Sequence, residues 1–258
     1  MWKFGKHIFI AFPFLLLMVS KSDAQNKVYH HNVAWGRLVF TDTLNARTRW
    51  ELYLQQRTQD DQNGGANLFN ERQFTSYWLW MHYQATKNIK LSASPIGYFD
   101  SKVLIVKPSD ADQQGIREFR FSIRAEQETK YRFLNVYNRY NLEYRLRDMK
   151  NENVFKPNWR FRYMLRFEKP IKIGSKTVTL IANDELMIQF GGTVKNNPNV
   201  FDQNRIYAGF AFELVRNVKL NLGYLYTVQQ RPSGFEFDRI NTFWGILTFD
   251  NLFSQWKR

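Results

Sequence analysis

The stretch Phe133-Leu-Asn-Val-Tyr-Asn-Arg-Tyr-Asn-Leu-Glu-Tyr-Arg-Leu-Arg147 decides the fold. One parity carries Asn135, Tyr137, Arg139, Asn141, Glu143, Arg145 and Arg147. The other carries Leu134, Val136, Tyr140, Leu142, Tyr144 and Leu146, interrupted only by Asn138. Successive side chains of a strand point to opposite faces, so this is one strand with a charged face and an apolar face. Ordinary strands average about five or six residues, whereas a tilted strand crossing a bilayer needs about nine to eleven. Residues 133–147 are long enough to cross.

The pattern recurs along the chain. Arg47, Arg49, Glu51, Tyr53, Gln55 and Arg57 alternate with Thr48, Trp50, Leu52 and Leu54. Residues 71–85 and 89–99 read as a hairpin over Lys87-Asn88, with Trp78 and Trp80 on one face of its first arm. Further strands are expected at 116–127, 158–168, 176–190, 203–214, 218–230 and 239–250. Within 176–190, Asp184 falls on the apolar parity, which suggests a bulge or the mouth of a barrel. Connections alternate between short (43–45, 87–88, 128–132, 169–175, 215–217) and long (59–70, 100–115, 148–157, 191–202, 231–238). Outer-membrane barrels have short periplasmic turns and longer extracellular loops. With Trp35–Thr41 as the first, eleven strands are counted. Bacterial barrels prefer even numbers, so twelve are expected, with 26–33 supplying the twelfth, and ten are the alternative.

The start of the chain has the layout of a secretory signal peptide: Lys3 and Lys6, an apolar run from Ile8 to Val19, and Ser22-Asp-Ala24 as a cleavage site. The expected division is therefore a signal at 1–24 and a barrel over 25–258. Residues 1–24 carry three lysines and one aspartate, so their loss takes the net charge from +14 to +12. The absence of cysteine excludes disulfides and thiol chemistry. An aromatic fraction of 17% beside a mean hydropathy of −0.51 suits strands in which every second residue is polar. The basic balance raises nucleic acid as a partner, but arginines spaced by two within strands form no binding motif, and none is expected.

Alternation alone fits two barrels. A soluble periplasmic, lipocalin-like barrel would hold its aromatics inside around an apolar ligand. A membrane barrel would turn them to outer-membrane lipid and line its lumen with charge. Strand length, the asymmetry of the connections and aromatics sufficient for interfacial girdles favour the second. Charges facing lipid would cost about 2–4 kcal/mol for each arginine near the midplane, so they must face the lumen.

Phe201-Asp-Gln-Asn-Arg-Ile-Tyr-Ala-Gly209 and Asn221-Leu-Gly-Tyr224 carry a resemblance to a known family. So do Glu118-x-Arg120, Arg139-Tyr-Asn-Leu-Glu-Tyr-Arg145, Arg160-Phe-Arg-Tyr163 and Asn183-x-Glu185. Over about residues 33–250 the chain resembles an uncharacterised β-barrel family of Gram-negative outer membranes, described only as a domain of unknown function. The resemblance implies a barrel in the cell outer membrane and no reaction or ligand.

The candidate site is a lattice of lumen charges. Arg120, Arg124, Arg139, Arg145, Arg147, Arg160, Arg162 and Arg166 share a face with Glu118, Glu126, Glu143 and Glu168, an excess of four positive charges. Glu185 and Arg205 extend the set onto later strands. Strands about 4.8 Å apart allow cross-strand pairing, and small barrels fill their interiors with side chains, so a largely filled lumen is expected. The alternative is a narrow passage for small anions, or a pocket for a small acidic ligand. Catalysis is the remaining class. Ser76 and His82 share a face but stand roughly 20 Å apart along their strand. His30 and His31 point to opposite faces, and carboxylates among arginines make poor acids. No constellation of nucleophile and base, metal-ligand spacing or cofactor motif is present, so no cofactor is expected and an outer-membrane hydrolase is the last of the alternatives. The oligomeric state is not legible.

Overall fold

The computed structural model describes residues 27–60, 67–194, 200–231 and 233–256. The expected signal at 1–24 lies outside them. Eleven strands are present among the described residues. They are β1 (Lys27–Thr43), β2 (Thr48–Gln59), β3 (Glu71–Thr86), β4 (Ile89–Ser101), β5 (Ile116–Lys130), β6 (Asn135–Asp148), β7 (Lys156–Ile173), β8 (Lys176–Gly191), β9 (Phe201–Val215), β10 (Val218–Gln230) and β11 (Glu236–Phe249). Each pairs antiparallel with the next, and β1 closes on β11 into a barrel.

The up-and-down barrel expected from the alternation is present, with one strand fewer than the parity preference suggests. Residues 27–43 form a single long β1 instead of two strands. An odd number of alternating strands leaves the first and last running the same way, so the β1–β11 seam is parallel, from Lys27↔Glu236 to Phe40↔Phe249. The chain therefore enters the barrel at its long-loop end and leaves at its short-turn end. There the segment after β11 is tied back: Asp42 accepts the N–H groups of Phe253 (2.5 Å) and Ser254 (2.8 Å), and Asp250 pairs with Arg49.

The two faces of the wall separate by polarity. Glu143, mid-strand in β6, is 0% exposed, whereas Ile123 beside it on the outer face of β5 is 62% exposed. Outward aromatics cluster near both ends: Tyr98–Phe119, Phe119–Phe155 and Tyr144–Trp159 toward the long loops, Phe40–Phe249 and Trp50–Phe253 toward the short turns. Asp184 departs from the pattern without the expected bulge. Its pairing with Leu165 is in register, it lies mid-strand on the outer wall, and Asn204 Nδ2 donates to it at 2.6 Å.

Two details of the wall follow from residue size. Pro95, which has no N–H for a ladder, falls where the pairing of β4 with both neighbours shifts, and a Cβ on nearby Gly97 would come within 2.7 Å of the Trp78 ring. Gly209 and Gly223 face each other across β9 and β10, and Tyr207 lies over both with its hydroxyl on Asn221. The sequence motifs at 201–209 and 221–224 are thus one packing unit.

Candidate functional site

Register builds the lattice. Ser122, Glu143 and Arg160 oppose one another across β5, β6 and β7, with Arg120↔Arg145 and Asn141↔Arg162 in the adjoining rows. Glu143 is the hub. Its carboxylate receives Arg160 at 2.6 Å, Arg162 at 2.8 Å, Asn141 Nδ2 at 2.8 Å and Arg120 at 3.6 Å. Arg162 also grips Glu185: its Nη2 donates to both carboxylate oxygens, at 2.7 and 2.8 Å, and its Nε to one of them at 2.9 Å. Glu118 holds Arg120 at 2.6 Å and Arg147 at 3.3 Å, with Arg145 at 3.9 Å. Arg145 is satisfied mainly by neutral oxygens, Asn158 and Gln189. Charges this deep are tolerated only when their remaining donors and acceptors are met, and here most are.

Of the expected lattice residues, Glu118, Arg120, Glu143, Arg145, Arg147, Arg160, Arg162 and Glu185 form one connected network around Glu143, while Arg139 pairs with Glu126. Glu126 binds Arg139 at 2.5 Å and Lys90 at 2.7 Å, closer to the short turns. Arg166 pairs with Glu168 on its own strand. Arg124 and Arg205 do not join. Among the described residues neither has a carboxylate within ion-pair distance; Arg124 lies 3.8 Å over the Trp80 ring and Arg205 5.5 Å from that of Trp35.

The other side of the lumen is aromatic. Trp35 stacks on Trp244 at 4.9 Å, with Tyr207, Leu225, Ile181 and Phe74 around them, and Trp78, Trp80 and Phe99 form a second cluster on β3 and β4. Part of the aromatic complement expected on the lipid face thus fills the interior. Arg37 and Arg57 belong to this side. Arg57 lies 4.6 Å over Trp35 and Arg37 5.0 Å over Tyr53, and among the described residues neither has a carboxylate partner. A cavity of about 340 Å³ opens between the two sides in the long-loop half. Ten lysines and arginines border it against four carboxylates. The β4–β5 connection borders it too, pinned across the barrel by glutamines: Gln59 Nε2 donates to Val103 O at 2.9 Å, Gln73 Nε2 to Lys102 O at 2.9 Å, and Ile105 is buried beneath. Residues 102–106, which could have extended β4, form this crossing instead.

Sequence reading missed two groupings. Asp202 binds Arg160 at 3.1 Å from beside the irregularity where β8 and β9 fall out of step, so alternation does not place it inside. His82 does not meet Ser76, as expected from their spacing. Its Nδ1 lies 2.7 Å from Ser92 Oγ on β4, and its Nε2 3.0 Å from Glu51 on β2. The Glu51 contact is poorly aligned for a hydrogen bond. The apolar groove bordering Ser92 and His82 is on the outer wall among Met81, Leu91, Ile123 and Leu142, while both side chains turn inward and are buried. A nucleophile and base are thus adjacent, but the hydroxyl faces packed side chains. His31 and His30 diverge as expected, His31 inward onto Asp238 at 2.9 Å. Among the described residues no group of three His, Cys, Asp or Glu is placed to hold a metal ion.

A family model described as "Protein of unknown function (DUF2490)" matches residues 32–239. Nothing among the curated proteins matches the chain. Two solved structures align with it. One is a bacterial polysaccharide outer membrane secretin, at 10% identity and a TM-score of 0.47, over 79% of this chain and 64% of that one. The other is the siderophore receptor PirA from Pseudomonas aeruginosa, at 12% identity and a TM-score of 0.28, over 74% of this chain and 35% of that one. The chain spans less than two thirds of either.

Proposed function

This chain belongs to the DUF2490 family, and we propose that it is an outer-membrane barrel closed to passage, whose long-loop half forms a basic cup for a small acidic ligand. The membrane reading is supported by an apolar outer wall, by aromatics near both ends and by strands of 12 to 18 residues. The observation that carries the closed lumen is burial. Trp80, Met187, Leu225, Ile240 and Glu143 all face inward from five different strands, and solvent scarcely reaches any of them. A water-filled channel would wet its lining. Below the cup, among the described residues, lies a smaller cavity of about 120 Å³. This reading includes no catalysis, since the Ser92 hydroxyl is not presented to a substrate.

Planar bilayers provide the test. Folded protein is expected to give no steady conductance and to fractionate with outer membranes in a heat-modifiable form. Anion-selective current that turns toward cations in an Arg139→Glu, Arg145→Glu double variant would overturn the closed lumen and establish a passage. Recovery as a soluble periplasmic monomer would overturn the membrane reading.

A further inference from the structure

We infer that the cup holds a compact polyanion, a small di- or tricarboxylate or a phosphate, gripped by Arg57 and Arg205 above the indole of Trp35. The inference rests on the closed lumen proposed above, because a blind cup can retain an anion that a channel would pass. Three guanidinium groups from three strands converge on one ring: Arg57 of β2 at 4.6 Å from its centroid, Arg205 of β9 at 5.5 Å and Arg37 of β1 at 5.9 Å. Each is attracted by the ring, yet a ring supplies no counter-charge. Like charges converging on one ring, half-buried at the cavity, call for an anion between them.

Three further observations converge. The Nε donors of Arg57 and Arg205 and the indole N–H of Trp35 are buried without an acceptor. All four residues border the 340 Å³ cavity, which is at the lower end of the range of small-molecule pockets, about 300–1,000 Å³. The four carboxylates around that cavity are already engaged: Glu118 and Asp202 by the lattice, Asp238 by Arg231 and His31, and Asp110 by the backbone N–H groups of Val106 and Lys107. The positive charge left over is therefore concentrated where Arg37, Arg57 and Arg205 meet, and planar forks there suit carboxylate or phosphate oxygens.

The experiment is calorimetric titration of the folded barrel in detergent micelles at low ionic strength, with citrate and separately with inorganic phosphate. Saturable one-site binding of at least one anion is expected. It should weaken at least tenfold in an Arg57→Gln, Arg205→Gln double variant, and change less than twofold in Arg166→Gln, whose side chain lies outside the cup. No binding by folded wild type, undiminished binding by the double variant, or equal weakening by Arg166→Gln would overturn the site. Should the double variant fail to fold, Trp35→Phe gives a second reading. Citrate or phosphate is expected to alter the intrinsic fluorescence of the wild type, and this response should vanish in the variant; a response that persists removes Trp35 from the site and sinks the inference. A silent barrel that binds neither anion sinks the site and leaves the closed lumen standing, whereas a conducting barrel removes the premise.

Discussion

The two sides of the lumen use the same residue for different ends. On β5–β8, arginine meets glutamate: Glu143 serves arginines from two strands, and Arg162 bridges Glu143 to Glu185. Where β1, β2 and β9 converge, arginine meets aromatic rings, and among the described residues Arg37, Arg57 and Arg205 have no carboxylate within ion-pair distance. Orientation is the same in both, since all of these side chains alternate inward. The difference is what their forks reach: even Arg205, which register sets opposite Glu185, makes no ion pair with it, because Arg162 holds that carboxylate. The lattice neutralises its own charge and builds rigidity, while the aromatic side carries charge that no internal partner neutralises.

The comparison can be broken in order of expected effect. Glu143→Leu takes the shared carboxylate from Arg120, Arg160 and Arg162, which keep only Glu118, Asp202 and Glu185, and is predicted to cost about 3–5 kcal/mol, the range for breaking a buried charge network by removing one partner. Urea unfolding in micelles, followed by the heat-modifiable gel shift, measures it, and a loss below about 1 kcal/mol would mean the hub does not hold the lattice. Leu142→Arg, one residue away but outward, sets a charge in the bilayer and is predicted to cost about 2–4 kcal/mol or to block assembly. Tolerance of that change would reverse the assignment of faces. Gly223→Val drives a side chain into the Tyr207 ring and is predicted to cost about 1–3 kcal/mol by overpacking, on the same unfolding curve. Arg57→Met is the sharpest contrast with Glu143→Leu. It leaves no carboxylate orphaned, so stability is predicted to stay within about 1 kcal/mol of wild type even as citrate or phosphate binding falls. A large loss there would make Arg57 a structural residue like those of the lattice.

The barrel was legible because a period of two, sustained over a dozen residues or more, is what a long strand with two unlike faces produces and a helix does not. The positions of Glu118, Arg120, Glu143, Arg160, Arg162 and Glu185 followed from parity once the lumen was identified as the polar side. The site beyond them was not. Parity cannot say that Trp35, Trp78, Trp80 and Trp244 fill the interior, because a narrow lumen needs bulk as much as charge. Trp78 and Trp80 do share a parity with Ser76 and His82, a weak sign of inward direction. Asp202 is hidden by the local slip between β8 and β9, and Arg124 and Arg205 lie on the right face yet form no ion pair among the described residues, although Glu185 stands opposite Arg205. Alternation reports direction; pairing depends on register and reach, which emerge only when the strands close.

Closure itself has a kinetic consequence. Ten of the eleven strand pairs join neighbours in the chain, but the seam joins residues such as Tyr29 and Glu236, 207 positions apart. Its loop-closure entropy is the largest in the molecule, and parallel pairing returns slightly less per residue than antiparallel. The hairpins can therefore assemble as a curved sheet well before β1 finds β11, with the Trp35–Trp244 stack as the clasp across the seam. During refolding into micelles, strand content is expected to rise before the heat-modifiable form appears; simultaneous appearance would mean that closure is not a separate step. The seam is where the barrel finishes forming, and where it first comes apart.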